Sequence, residues 1–264
     1  MKTLVLSLLL LVSWVLPNSS LAVDNTNLAD YVESISVKIV VAEGSGSGTA
    51  FTRKDWTTTN NITFIWTAAH VLQDEMSGEI VTNKVKIIQN LYDKDGIVCG
   101  TTNRIAKLIK ISKDGEGQDL AILEVEGTFF NTNSATFDVT KKVWRIGTPL
   151  VTVGSPSGLT DSYSEGVMAN VGEICDGNTN EFDQTTCVVF PGSSGSGIFD
   201  RNGVYVGMAT VMRNPNINFI IPMRRMLKWV KAEHIEWTLN SKISMPSEQD
   251  YKKLPIMDNT NRAP

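Results

Sequence analysis

Three residues, His70, Asp119 and Ser194, have the types and surroundings that covalent acyl-transfer chemistry needs. The chain has two histidines, so the choice of a general base is short. His70 ends Trp66-Thr-Ala-Ala-His70, an extended run leading into small residues that let an imidazole stand at a cleft edge. His234 lies among Lys, Glu and Trp and reads as a structural residue. The segment Pro191-Gly-Ser-Ser-Gly-Ser-Gly197 offers a nucleophile. A serine hydroxyl is protonated at neutral pH, so it needs an adjacent base, and the oxyanion it generates needs N–H donors aimed at it. Ser194 has a glycine two residues before it and another directly after it, which permits an exposed turn with bare N–H groups. The rivals Ser193 and Ser196 lack the first of these glycines. Taken by itself, such a Gly/Ser run reads as a flexible surface loop. Asp119 opens Asp-Leu-Ala-Ile-Leu-Glu-Val, an acid set before a buried-looking strand. Its carboxylate can accept the Nδ1–H of His70, which leaves Nε2 free to take the serine proton. Asp114 is better explained as a turn residue.

Positioning these side chains falls to short apolar runs: residues 37–41, 63–67, 85–88, 121–125, 149–153 and 204–211. Turn signals separate them, at Asp95-Gly96, Asp114-Gly115, Asp176-Gly177 and Asn202-Gly203. Short strands at fairly regular spacing predict an all-β barrel or sandwich. The exception follows Pro222, where Met223, Met226, Leu227, Val230 and Ile235 recur at helical spacing and predict one C-terminal helix. Residues 239–264 are polar and read as a tail, draped or disordered.

The ends and the composition limit the function class. Residues 1–22 have one lysine, an apolar run from Thr3 to Leu16, and small residues Ser20 and Ala22 before the expected cut. These are the parts of a signal peptide, so the mature chain is expected to be exported, periplasmic or extracellular, with residues 23–238 forming one domain. The apolar run is shorter than the roughly 20 residues of a membrane span, so no membrane association is expected after its removal. A net charge of -4 provides no basic field for nucleic acid. Cys175 and Cys187 flank what reads as a hairpin tip and are the expected disulfide, with Cys99 left over. There is no Cys-x-x-Cys spacing, so neither a metal nor another cofactor is expected.

The order His70, Asp119, Ser194, within Thr-Ala-Ala-His, Asp-Leu-Ala-Ile-Leu and Gly-Ser-Ser-Gly, resembles the trypsin/chymotrypsin-like superfamily. Finer features are similar to its HtrA (Deg) branch: Gly46-Ser-Gly48, Val153-Gly-Ser-Pro-Ser-Gly-Leu159, Gly166-Val-Met-Ala and Asn218-Phe-Ile-Ile-Pro222. The resemblance covers about residues 33–232 and implies two six-stranded β-barrels with the cleft between them. It also implies a serine endopeptidase acting on polypeptides, with an oxyanion hole from the N–H groups of Gly192 and Ser194. The substrate pocket would be lined by Val188 and Phe190 before the nucleophile and by Ala209, Thr210 and Val211 after it. With an apolar floor at Val188, the resemblance implies cleavage after small to medium aliphatic residues, because a buried unpaired charge is costly.

Departures from the family pattern also carry expectations. Ser193 stands where the digestive branch has the aspartate that pairs with a freed N-terminus, so activity without a maturation cut is expected. Only a short segment follows the expected last helix, so peptide sensing through a PDZ domain is not expected. Two other function classes compete: a non-catalytic binding protein that kept the fold, and an esterase. The ordered triad argues against the binding protein, while an acyl-enzyme mechanism serves esters and peptides alike.

Overall fold

An apolar stripe made by Leu28, Val32 and Ile35 turns the first described segment into a helix, α1 (Asn25–Ile35), with all three side chains fully buried. A computed structural model describes residues 25–42, 44–56, 60–74, 77–113, 118–127, 133–141, 143–174, 180–214 and 217–257. After α1 the chain runs through β1 (Ser36–Val41), β2 (Gly44–Lys54), β3 (Asn61–Thr67), β4 (Lys84–Tyr92), β5 (Val98–Ile111) and β6 (Ala121–Val125). Period-two burial gives β4 one inward face, with Val85, Ile87 and Gln89 buried while Lys84 and Lys86 are exposed, whereas β3 is buried on both faces from Thr63 to Thr67. The six close into an antiparallel barrel in the order β1-β2-β3-β6-β5-β4, filled by Ile39, Ala50, Ile65, Ile87 and Leu123, while Phe51, Phe64 and Trp66 lie on its outer face, the last two under the C-terminal segments.

A second six-stranded barrel follows, from β7 (Pro149–Gly154), β8 (Ser162–Ile174), β9 (Glu181–Thr185), β10 (Gly197–Asp200), β11 (Tyr205–Asn214) and β12 (Ile217–Pro222). Its order is β10-β11-β12-β9-β8-β7, around Leu150, Met168, Ile198, Ala209 and Ile220. The all-β expectation and the implied pair of barrels are therefore both met. Pro222 closes β12, and α2 (Met223–Ala232) starts directly after it. The helix buries Met223, Met226, Trp229 and Val230, and Trp229 meets Trp66 edge-on at 6.0 Å, tying α2 to the first barrel. Of the turn signals, Gly96 and Gly203 have φ of 77° and 72°, as their tight turns require. Asp114-Gly115 and Asp176-Gly177 lie outside the described residues.

The polar tail is draped over the first barrel. A short helix, α3 (Glu248–Tyr251), sets Tyr251 4.9 Å from Trp56, and the Tyr251 hydroxyl donates to Glu124. Lys110, itself buried, pairs with Glu233 at 2.7 Å and donates to the carbonyls of Pro255 and Met257.

One expectation is corrected. Cys187 is a free, buried thiol, not half of a Cys175–Cys187 bridge. Cys175 lies outside the described residues, but the ladder beside it gives the reason. Ile174 pairs with Glu181 at one end of the β8–β9 hairpin, whereas Cys187 lies against Gly166, eight residues back along β8. At about 3.3 Å per residue those ends are roughly 25 Å apart, against the roughly 6 Å between Cα atoms that a disulfide spans.

Candidate active site

Strand register brings the first two candidate residues together. Thr67, the last residue of β3, is paired with Ala121, the first of β6. His70 stands three residues beyond the one, on a single 3-10 turn (Ala69–Val71), and Asp119 two residues before the other. Asp119 has φ of 52°, an uncommon backbone for a non-glycine residue, and its carboxylate folds back onto the histidine. His70 Nδ1 lies 3.0 Å from Oδ1 and 2.9 Å from Oδ2, and the His70 backbone N–H donates to Oδ1 at 2.9 Å. The Thr210 hydroxyl donates to Oδ2. Burial works to raise the pKa of Asp119, but the His70 charge and the His70 and Thr210 hydrogen bonds outweigh it, so the carboxyl is held below its ordinary range. An ionised acid behind the ring fixes the tautomer with Nδ1 protonated and Nε2 available. The His70 side chain is 46% exposed, which gives that nitrogen access to the cleft.

Ser194 reaches this group from the second barrel. Its loop precedes β10 and is stitched to β11, with Gly195 N donating to Ala209 O and Ala209 N to Ser196 O. Ser194 Oγ lies 3.5 Å from the carbonyl oxygen of Thr210, the residue whose side chain holds Asp119. Gly195 packs so closely on Ser47 O, Thr67 Oγ1 and Ala68 N that a side chain there would clash, which sets the serine loop against the turn that carries His70. The two neighbouring serines are buried: Ser193 is 2% exposed, and Ser196 is fully buried with its hydroxyl donating to Ser193 O. His234 stands exposed just past α2, with φ of 57°.

The loop also leaves two donors bare. Ser193 N donates to Phe190 O, Gly195 N to Ala209 O and Ser196 N to Ser193 O. Among the described residues no protein acceptor takes the N–H of Gly192 or of Ser194. Gly192 has φ of 97° and touches Ser155 O, so no other residue type fits there without strain.

Beside the loop is a small cavity lined by Thr152, Tyr163, Ser164, Val188, Ser193 and Ser196 among others, with no charged residue in its lining. Val188 in that lining is 48% exposed, and Phe190, outside it, is 39% exposed. Ala209 is fully buried and Thr210 is committed to Asp119, while the side chain of Val211 lies outside the description. Sequence reasoning places Thr210 only in the pocket and misses its bond to the acid, a contact that only the β11 register creates. A groove between α1 and β4, lined by Asp30, Glu33 and Tyr92 among others, is larger but holds no base–nucleophile pair.

Two closed barrels with these residues at their junction define the trypsin-like class. The chain belongs to the trypsin-like peptidase domain family, whose profile matches residues 46–208. It is 24% identical over 209 residues to the chloroplastic Protease Do-like 1 of Arabidopsis thaliana, covering 75% of this chain and 41% of that protein. It is 27% identical over 136 residues to a probable periplasmic serine endoprotease, DegP-like, of Pseudomonas putida, covering 50% of this chain and 28% of the relative. The chain thus spans less than half the length of these curated relatives. Among solved structures, its fold is similar to that of Deg5 (TM-score 0.58, 22% identity, 77% of this chain and 90% of that one). It is also similar to a serine-to-alanine variant of the HtrA-type protease AlgW with tripeptide (TM-score 0.59, 20% identity, 81% and 64%).

Proposed function

We propose that this protein is an exported serine endopeptidase that hydrolyses peptide bonds through Ser194, His70 and Asp119. The observation that carries the reading is the double approach of His70 Nδ1 to the Asp119 carboxylate, in a group that Thr210 extends to Ser194. Ser194 Oγ attacks the scissile carbonyl carbon as His70 Nε2 takes its proton. Asp119 stabilises the imidazolium so formed without itself being protonated. The carbonyl oxygen becomes an oxyanion that the N–H groups of Gly192 and Ser194 receive. Collapse of this intermediate breaks the C–N bond, and His70 returns the proton to the leaving amine. Water then cleaves the acyl-enzyme by the same steps in reverse roles.

Val188 in the lining of the uncharged pocket, with Phe190 exposed two residues further on, supports cleavage after small to medium aliphatic residues. The backbone N–H of Phe190 donates to Ser193 Oγ at 3.3 Å, a local bond that supports competence without a freed N-terminus. Residues 1–22 act as a signal peptide in this reading, the protein works in the periplasm or outside the cell, and its partners are polypeptide substrates. The test is a peptide library cleaved by the purified protein and mapped by mass spectrometry. Cuts after Val, Ala, Leu or Ile, absent in Ser194→Ala, are expected; preferential cuts after Arg or Lys refute the specificity, and no cleavage at all refutes the peptidase.

A further inference from the structure

Ser47 belongs to the first barrel, yet its bonds organise the oxyanion loop of the second. It sits on β2 inside Gly46-Ser-Gly48 and is 1% exposed. Ser155 N donates to its Oγ at 2.9 Å, and Ser47 Oγ lies 2.8 Å from Gly192 O. An N–H can only donate, so the single hydroxyl proton of Ser47 is left for the Gly192 carbonyl. The Ser47 backbone N–H donates to Ser194 O at 2.8 Å, and its carbonyl accepts from Thr67 Oγ1 at 2.7 Å, which locks the residue on both sides.

Ser155 begins the turn on which the loop rests. Two residues on, Ser157 N donates to Pro191 O at 2.7 Å. In a trans peptide the N–H points opposite to the C=O. Holding Pro191 O on Ser157 therefore turns the Gly192 N–H the other way. Ser47 fixes both parts of this arrangement, the turn through Ser155 N and the loop through Gly192 O. Glycine at φ of 97° has no side chain to hold the peptide planes by itself, so their orientation depends on these partners.

We infer that Ser47 is a positioning residue for the oxyanion site: its hydroxyl clasps Ser155 N and Gly192 O and so keeps the Gly192 and Ser194 N–H groups aimed at the developing charge. The inference rests on the peptidase reading given above. Ser47 touches neither substrate nor the triad side chains, so its loss acts on transition-state stabilisation and not on the base.

The experiment compares wild type, Ser47→Ala and Ser47→Thr as full chains, by steady-state peptide hydrolysis and by amide hydrogen exchange. In Ser47→Ala, kcat falls about ten- to a hundredfold, short of the roughly 10²–10³ that losing a whole donor costs, and KM changes less than about threefold. The acidic limb of the kcat/KM profile stays in place because His70 and Asp119 keep their partners. Exchange accelerates in peptides covering residues 190–196 and not across the barrels, and Ser47→Thr, which keeps a hydroxyl, regains most of kcat. Unchanged exchange at 190–196 in Ser47→Ala overturns the inference, as does acceleration spread over both barrels, which marks general loosening. If the wild type cleaves no peptide, the peptidase reading fails, and the exchange result alone decides whether Ser47 is the clasp.

Discussion

Thr210 donates its hydroxyl to Asp119 Oδ2, the same oxygen that lies 2.9 Å from His70 Nδ1. One residue of β11 thus supports the acid through its side chain and meets the Ser194 hydroxyl through its carbonyl oxygen, 3.5 Å away. In the proposed mechanism the first barrel supplies base and acid, the second supplies nucleophile and donors, and Thr210 is where the two sets meet.

Removing the hydroxyl from that acid tests the link. A hydrogen bond to a charged group contributes about 1.5–3 kcal/mol, so Thr210→Val is expected to lower kcat/KM by about ten- to a hundredfold. Thr210→Ser restores it. Asp119 loses a donor that holds its carboxyl low, so its titration moves up towards the ordinary carboxylate range in Thr210→Val, measured by NMR of the carboxyl carbon.

A second group of carboxyls makes stability depend on pH. Glu33 on α1 is pushed up to about 7, by burial first and then by the Asp161 and Asp30 carboxylates. Asp161, before β8, is pushed up to about 6 by burial, against the lowering hydrogen bonds from Tyr92 and from Asn90 N. Acids whose folded values are raised bind protons more tightly when folded, so the stability they contribute is present below their unfolded values and is lost as pH rises through the folded ones. Between about pH 4 and about pH 7 they therefore weaken the fold as pH rises, and the double variant Glu33→Gln with Asp161→Asn should flatten that part of the Tm profile. A parental profile rising steadily from about pH 4 to about pH 7, unchanged in the double variant, contradicts this.

Lys110 and Glu233 form a buried pair that holds the tail. Taking away one partner leaves the other charge buried, a cost of about 3–5 kcal/mol, so Glu233→Gln should be strongly destabilised in urea. Lys110→Met with Glu233→Leu removes both charges and should recover much of the loss. A Glu233→Gln midpoint equal to that of the parent refutes the account of the pair.

Thiol accessibility checks the corrected disulfide. Cys99 is exposed and should alkylate in the native protein. Cys187 is fully buried and burial raises its thiol, so it should react only on unfolding. A Cys175–Cys187 peptide in a non-reducing digest of the exported protein would contradict the β8–β9 register.

Much of this was legible in the residues. His70, Asp119 and Ser194 each lie beside short apolar strands whose alternation is visible, and Gly192 and Gly195 mark the loop that bares the donors. What stayed hidden depended on long-range register or on weak local signals. β2 begins with Gly44-Ser-Gly-Ser-Gly-Thr49, which has no apolar alternation to mark a strand and pairs between β1 and β3. The stripe of Leu28, Val32 and Ile35 was available in the sequence and marks α1. The two cysteines looked like neighbours because only the turn between them was considered; the ladder puts Cys187 at the other end of the hairpin.

Labelling with a fluorophosphonate tests the central claim most directly, because the probe needs a serine that its base has activated and donors that receive the forming charge. The account predicts a single adduct mapped by mass spectrometry to Ser194, absent in Ser194→Ala and formed far more slowly in His70→Ala. An adduct on Ser193 or Ser196, labelling that survives Ser194→Ala, or a wild-type protein that does not react would contradict it.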